Sequence, residues 1–215
     1  MMVKKITAAC LGIVLGSSLN ATEGMYSKAF IGLEVESTKV DSSAQVYFND
    51  FIMPPFETDS DYAGEYGFNI GVEDEEWRTT FLYTYYNNDN DGAEETMNKG
   101  SLLVDYFIWT TTGSDYELKP YLGAHVGYMS YELTADTGYG TDFILVDDSD
   151  MFYGGQVGVA MTVSEVIGLD LSYKYSMANF TDIPTDFVNA YGDRLHFDSS
   201  LDGMGSIAFG IKYFY

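Results

Sequence analysis

Apolar and polar side chains alternate with period two along eight stretches of the chain, roughly 28–40, 62–73, 77–86, 99–109, 116–131, 151–163, 168–177 and 201–215. Alternation of this kind predicts strands with one apolar face. In the first stretch Ile31, Leu33 and Val35 oppose Gly32, Glu34 and Glu36; in the second Tyr66, Phe68, Ile70 and Val72 oppose Glu65, Gly67, Asn69 and Gly71. The last sets Ile207, Phe209, Ile211, Tyr213 and Tyr215 against Ser206, Ala208, Gly210 and Lys212. No stretch after residue 21 sustains a helical period or offers some 18 consecutive apolar residues, so no transmembrane helix is expected. Each stretch reaches the ~9–11 residues that a tilted strand needs to cross a bilayer.

Period two does not say which face turns inward, because a soluble barrel shows the same alternation with its apolar face inside. Side-chain size decides. Eight glycines (Gly32, Gly67, Gly71, Gly123, Gly127, Gly154, Gly158 and Gly210) fall on the polar face, and nearly all the large aromatics fall on the apolar one. An eight-stranded barrel has a bore only just wide enough for side chains. The bulky face is therefore expected outside, against lipid. The predicted class is all-β: an eight-stranded antiparallel up-and-down transmembrane β-barrel.

The connections alternate in length. Residues 74–76, 110–115 and 164–167 are short; 41–61, 87–98, 132–150 and 178–200 are long. Outer-membrane barrels combine short periplasmic turns with long extracellular loops, which places both termini in the periplasm. Outward aromatics then gather at two rims: Tyr66, Tyr83, Tyr85, Tyr128, Tyr153, Tyr173 and Tyr175 at one, Trp77, Tyr116, Tyr213 and Tyr215 at the other. Membrane interfaces favour amphipathic rings in this way.

Composition changes the picture at the amino end and in the charge. "MMVKKITAACLGIVLGSSLNA" carries Lys4 and Lys5, an apolar run from Ile6 to Leu15 and small residues to Ala21, the layout of a cleaved secretory signal peptide. Residues 1–21 are read as that leader and 22–215 as one barrel domain. Cleavage removes Cys10, the single cysteine, and two of the ten basic residues, leaving eight against 33 acids. So negative a chain excludes nucleic acid as a partner. Nineteen of the acids fall in the four long connections, with Arg194 their one base.

Three stretches resemble the small eight-stranded outer-membrane barrels, a family that includes the membrane domain of OmpA, OmpX and the opacity-type proteins. "LKPYLGAHVGY" (118–128) is similar to the family's fifth strand and "LDLSYKY" (169–175) to its seventh. "FGIKYFY" (209–215), with Gly210, Tyr213 and Tyr215, resembles the carboxy-terminal signal read by the barrel-insertion machinery; Ala208 stands where a polar residue is usual. The resemblance implies architecture rather than activity. The chain ends at the eighth strand, so no periplasmic peptidoglycan-binding domain is expected.

The inward face predicts a charge network of Glu34, Glu36, Glu65, Asp105 and Asp170 with Arg78, Lys119, Lys174 and Lys212. Unpaired charges there are costly to desolvate. The network reads either as a salt-bridged plug or as a narrow ion path. His125 is expected in the bore; it lacks the serine two residues on that the lipid-modifying barrels place beside a lipid-facing histidine. His196, near Asp193 and Asp198, reads as a solvated loop histidine. "NNDNDGAEETMN" (87–98) partly matches a calcium loop in Asp89, Asp91 and Gly92, but Asn87 and Asn98 stand where carboxylates belong, and a hairpin turn is the plainer reading. No catalytic group, metal site or cofactor is assigned.

The expected function is that of a non-enzymatic outer-membrane protein contributing to envelope integrity and to surface interaction or adhesion through acidic loops. A narrow porin is the alternative. Apolar clusters at 46–56, 143–146 and 179–191 read either as loops packed on one another or as a recognition surface. The expected partners are outer-membrane lipids and lipopolysaccharide, the insertion machinery, and an extracellular ligand or host surface.

Overall fold

The computed structural model describes residues 27–48, 51–52, 56–59, 63–90, 93–136, 142–178, 185–188 and 194–215, with side chains at 27–39, 64–87, 96–132, 148–178 and 203–215. The leader assigned to residues 1–21 and the loop residue Asp193 lie outside them, as do the side chains of His196 and Asp198.

Eight long strands run up and down: β1 Lys28–Phe48, β2 Ala63–Glu73, β3 Trp77–Asn90, β4 Ala93–Phe107, β5 Glu117–Asp136, β6 Asp142–Ser164, β7 Ile167–Ala178 and β8 Arg194–Phe214. All neighbours are antiparallel, and β8 pairs with β1 from Phe30↔Phe214 to Phe48↔Leu195, which closes the barrel. The registers fix its dimensions. Following paired residues around the wall, Phe30–Gly71–Thr80–Leu103–His125–Gly154–Ser176–Met204 returns to β1 at Val40, ten residues beyond the start. Eight strands with a shear of ten tilt by roughly 40° and enclose a bore of roughly 8 Å radius, measured at the backbone.

The faces divide as their alternation predicts. Leu33, Tyr66, Phe68, Leu122, Leu171, Ile207, Phe209 and Tyr213 are exposed on the outer wall, whereas Glu65, Asn69, Asp105 and Asp170 are buried in the bore. The ten-residue step from Ile167 to Met177 along β7 covers roughly 25 Å of wall height, the height of an outer-membrane apolar band. Rings border this band. At the rim holding the two chain ends, Trp77 and Tyr106 lie 4.9 Å apart. At the far rim the Tyr83 hydroxyl donates to Asn98 Oδ1 (2.6 Å), and Tyr128 shares a 2.6 Å hydrogen bond with Ser149.

Two sequence expectations need correction. The far-rim segments expected as loops are largely strand. Asn87↔Thr96 through Asn90↔Ala93 extend the β3–β4 ladder, Leu133↔Val146 through Asp136↔Asp142 extend β5–β6, and Val46↔Phe197 through Phe48↔Leu195 extend the closing seam. Short strands Phe51–Ile52 and Phe56–Asp59 add to β1, and Thr185–Val188 adds to β8. Above the apolar band both faces of a strand meet polar surroundings, so backbone pairing continues where alternation fades.

The aromatics are also not confined to the outside: Phe30, Tyr86, Phe107, Tyr121, Phe152 and Phe214 are buried inside. The inward glycines make room for them. A Cβ on Gly71 would meet the Phe30 ring at 2.5 Å, one on Gly127 the Phe152 ring at 2.5 Å, and one on Gly158 the Tyr121 ring at 2.5 Å. Gly158→Leu is therefore expected to displace Tyr121 and lower stability by about 1–3 kcal/mol. Gly155→Leu, on the outer wall, should stay within ~0.5 kcal/mol of the parent. Urea unfolding of the two variants in detergent-free vesicles measures the difference; equal losses would contradict the assigned faces.

Candidate functional site: the charged bore

The bore is filled in layers. At the terminal end Phe30 and Phe214 meet edge to face at 5.9 Å, and Phe107 and Tyr121 at 6.2 Å. Charged stems thread these rings: Lys212 Nζ lies 5.1 Å from the Phe30 ring centre and Lys119 Nζ 5.0 Å from that of Phe107. At the far end Tyr86, Met97, Met129, Phe152, Ala178 and Met204 form one buried apolar cluster, with Tyr131 packed against it. Between the two apolar layers lies the charge.

Asp170 on β7 is the hub. Its Oδ2 receives Arg78 at 2.6 Å and Lys212 at 2.9 Å, and its Oδ1 accepts from the Tyr121 hydroxyl at 2.6 Å. Arg78 turns its Nε and second terminal nitrogen to Asp105 Oδ2, both at 2.7 Å. The guanidinium carbon stands 4.3 Å from the Tyr121 ring centre, so the cation is stacked as well as paired. Gln156 Nε2 donates to the remaining oxygen of Asp105. One carboxylate from β4 and one from β7 thus share one guanidinium from β3, tying opposite walls together.

Smaller groups flank this hub. Lys174 bridges Glu34 and Glu36, the latter at 2.8 Å, and Asn69 Nδ2 reaches Glu34 at 3.5 Å. Lys99 pairs with Glu65 at 2.7 Å. Lys119 pairs with Glu73 and Glu117, both at 3.3 Å. Thr38 and Ser206 share a 2.8 Å hydrogen bond. All five described cations of the bore face carboxylates. A cavity of about 10 Å³ remains among Glu34, Asn69, Arg78, Asp105, Gln156 and Asp170, enough for about one water molecule.

The structure brings all nine sequence-predicted charges into the bore. It divides them into the Arg78–Asp105–Asp170–Lys212 hub, the Lys174 group, and Glu65 and Lys119, whose partners Lys99 and Glu73 were not predicted. Both missed residues stand at the ends of the stretches read from sequence, with inward parity: Lys99 two before Ser101, Glu73 two after Gly71. Tyr121 has inward parity too, between Lys119 and Gly123, and its size is what hides it. Of the carboxy-terminal signal residues, Gly210 faces the bore while Tyr213 and Tyr215 are exposed on the outer wall.

His125 lies in the bore, where its Nε2 shares a 2.8 Å hydrogen bond with Ser176. Among the described residues its Nδ1 has no hydrogen-bond partner. The calcium reading of 87–98 meets a hairpin ladder, with only residues 91–92 between the strands. Residues in a ladder alternate between faces rather than wrapping one ion.

No protein-family model matches the chain, and no curated protein matches it in sequence. Its structure is similar to solved eight-stranded outer-membrane barrels. Neisserial surface protein A (NspA) superposes with a TM-score of 0.53 at 17% identity, over 86% of this chain and 96% of that one. The outer membrane protein OprG from Pseudomonas aeruginosa superposes with a TM-score of 0.58 at 15% identity, over 87% and 96%. Likeness at these identities is likeness of fold.

The hub predicts a specific sensitivity. Asp170→Ala takes from Lys212 its carboxylate and leaves Arg78 with Asp105 alone, and should lower unfolding stability by about 3–5 kcal/mol. Glu75→Ala, in an exposed turn, should change it by under ~0.5 kcal/mol. Chemical unfolding in lipid vesicles compares the two, and equal stabilities would show that the hub does not hold the barrel.

Proposed function

We propose that this chain is an integral outer-membrane protein, closed to solute flow, that mounts an acidic extracellular surface on a rigid barrel and contributes to envelope integrity. The observation that carries the reading is the packing of the bore among the described residues: an ion-paired middle, whose cavity holds about one water, between two apolar layers. Fixed, paired charges of this kind brace a wall. A conducting path needs a continuous aqueous lumen.

The exposed apolar band and its aromatic borders support membrane insertion, because only a closed barrel or a helix satisfies its backbone in lipid. The short connections 74–76 and 165–166 lie at the rim of the chain ends, which favours placing that rim in the periplasm. The far rim then faces outward. Of the 19 acids counted in the long connections of the sequence, 14 stand on described ladders of backbone pairs. Divalent cations are the natural bridge from these acids to the phosphates of lipopolysaccharide, and a recognition role toward an external ligand or host surface fits strands held by a stiff wall. Gly210, Tyr213 and Tyr215 serve as the address read by the insertion machinery. The role is mechanical and recognitive rather than catalytic; His125 is tied to Ser176 beneath the methionine layer.

Two measurements test this. Purified chain in planar bilayers should give no steady unitary current; reproducible channels would establish the narrow-porin alternative. Cells displaying a chain whose acids at 89, 91, 94 and 95 are changed to Asn or Gln should attach less to the surfaces the parent binds. Unchanged attachment would remove that hairpin from any recognition role.

A further inference from the structure

The strands close completely in the apolar band, but they do not end together at the far rim. β6 stays paired with β5 from Tyr128↔Met151 out to Asp136↔Asp142, whereas its pairing with β7 stops at Phe152↔Ala178. Among the described residues no strand takes up the other side of β6 from Met151 to Asp142. That side is an open sheet edge, and such an edge is a template for a further strand.

In an antiparallel ladder successive amides point alternately toward the partner strand and away from it. The Ser149 amide donates to Asp148 Oδ1 at 2.7 Å and the Met151 amide to Asp150 Oδ1 at 2.6 Å. Both therefore point to the open side, and a carboxylate of the preceding residue fills the place of a neighbouring strand's carbonyl. Ser149 and Met151 are exposed, and Asp148 and Asp150 are half-buried. The edge is reachable from solvent at this height.

Charge selects the occupant. Residues 142–151 hold Asp142, Asp147, Asp148 and Asp150 and no base. A second copy of this chain would set these acids against their own kind, which destabilises a strand pair. A strand that displaces Asp148 and Asp150 from the amides leaves two carboxylates facing its side chains, and a Lys or Arg there pairs with them. An apolar or acidic strand leaves them unpaired, at a cost.

We propose that the β6 edge above the far rim docks an extended basic segment of another protein by strand addition, its carbonyls taking the Ser149 and Met151 amides and its Lys or Arg side chains the carboxylates of Asp148 and Asp150. The site rests on the reading that this rim faces outward. It gives the proposed recognition surface a partner chemistry: backbone pairing for affinity, basic side chains for choice.

Hydrogen exchange of the full chain in lipid nanodiscs, read at the Ser149 and Met151 amides, tests this with a short peptide of alternating Thr and Lys. The peptide should bind and slow exchange at both amides. The same peptide N-methylated throughout keeps its charge, loses its backbone bonds and should bind about tenfold more weakly. Ser149→Pro should weaken binding of the unmethylated peptide to a similar degree, because proline on the open side of an edge strand removes an amide and leaves the ladder intact. A peptide of alternating Thr and Glu should not bind. Heat-modifiable migration confirms that the variant is folded. Equal binding of the methylated peptide, unslowed exchange at both amides, or no binding of the Thr–Lys peptide overturns the site and leaves the membrane reading standing. A chain that fails to float with liposomes overturns the membrane reading, and the site falls with it.

Discussion

Closure of β8 onto β1 is the constraint on which the rest depends. An apolar medium offers no hydrogen bonds to a strand edge, so every backbone donor and acceptor in the band must find its partner within the wall. The closing ladder from Phe30↔Phe214 upward supplies those partners. Once eight strands close with a shear of ten, tilt and radius are no longer free. The bore that results is too narrow to stay wet across its width with large side chains inside, and it is too polar in sequence to be an ordinary core.

The chain resolves that conflict by pairing. Each bore cation sits against carboxylates from other strands, and Asp170 collects two cations and a phenol. Ion pairs buried this deeply are weak evidence for net stability, since desolvation offsets much of their attraction. Their value is geometric: a long side chain fixed at both ends specifies which strands face each other. The apolar layers above and below exclude water from the pairs, and inward glycines let the rings of those layers lie flat against the wall. Wall, plug and glycine pattern are thus consequences of one small radius.

Much of this was legible in the chain because period two carries both faces at once. The eight strands follow from parity, and the lipid-facing set and the nine inward charges follow from parity together with side-chain size. Parity also marked Lys99, Glu73 and Tyr121 as inward, but each was hidden by another cue: two stood at segment ends and one was a large ring in a position expected to be small. Glycine marks the polar face for a second reason besides a crowded bore, since Gly71, Gly127 and Gly158 also make room for buried aromatic rings. Far-rim strands escaped notice because alternation disappears where neither face meets lipid, although the backbone keeps pairing. Which partners meet inside the bore depends on register around the barrel, and local sequence does not encode a sum over eight strands.

The inside-out arrangement of the wall is tested most directly by spin labels placed singly from Ile207 to Tyr213 on β8 in lipid bilayers, with oxygen and a water-soluble nickel chelate as relaxation agents. Labels at 207, 209, 211 and 213 should be accessible to oxygen, whereas those at 208, 210 and 212 should be shielded from both agents. Oxygen access at the even positions, or nickel access along the odd ones, would contradict a barrel that turns its hydrocarbon outward and its charge inward.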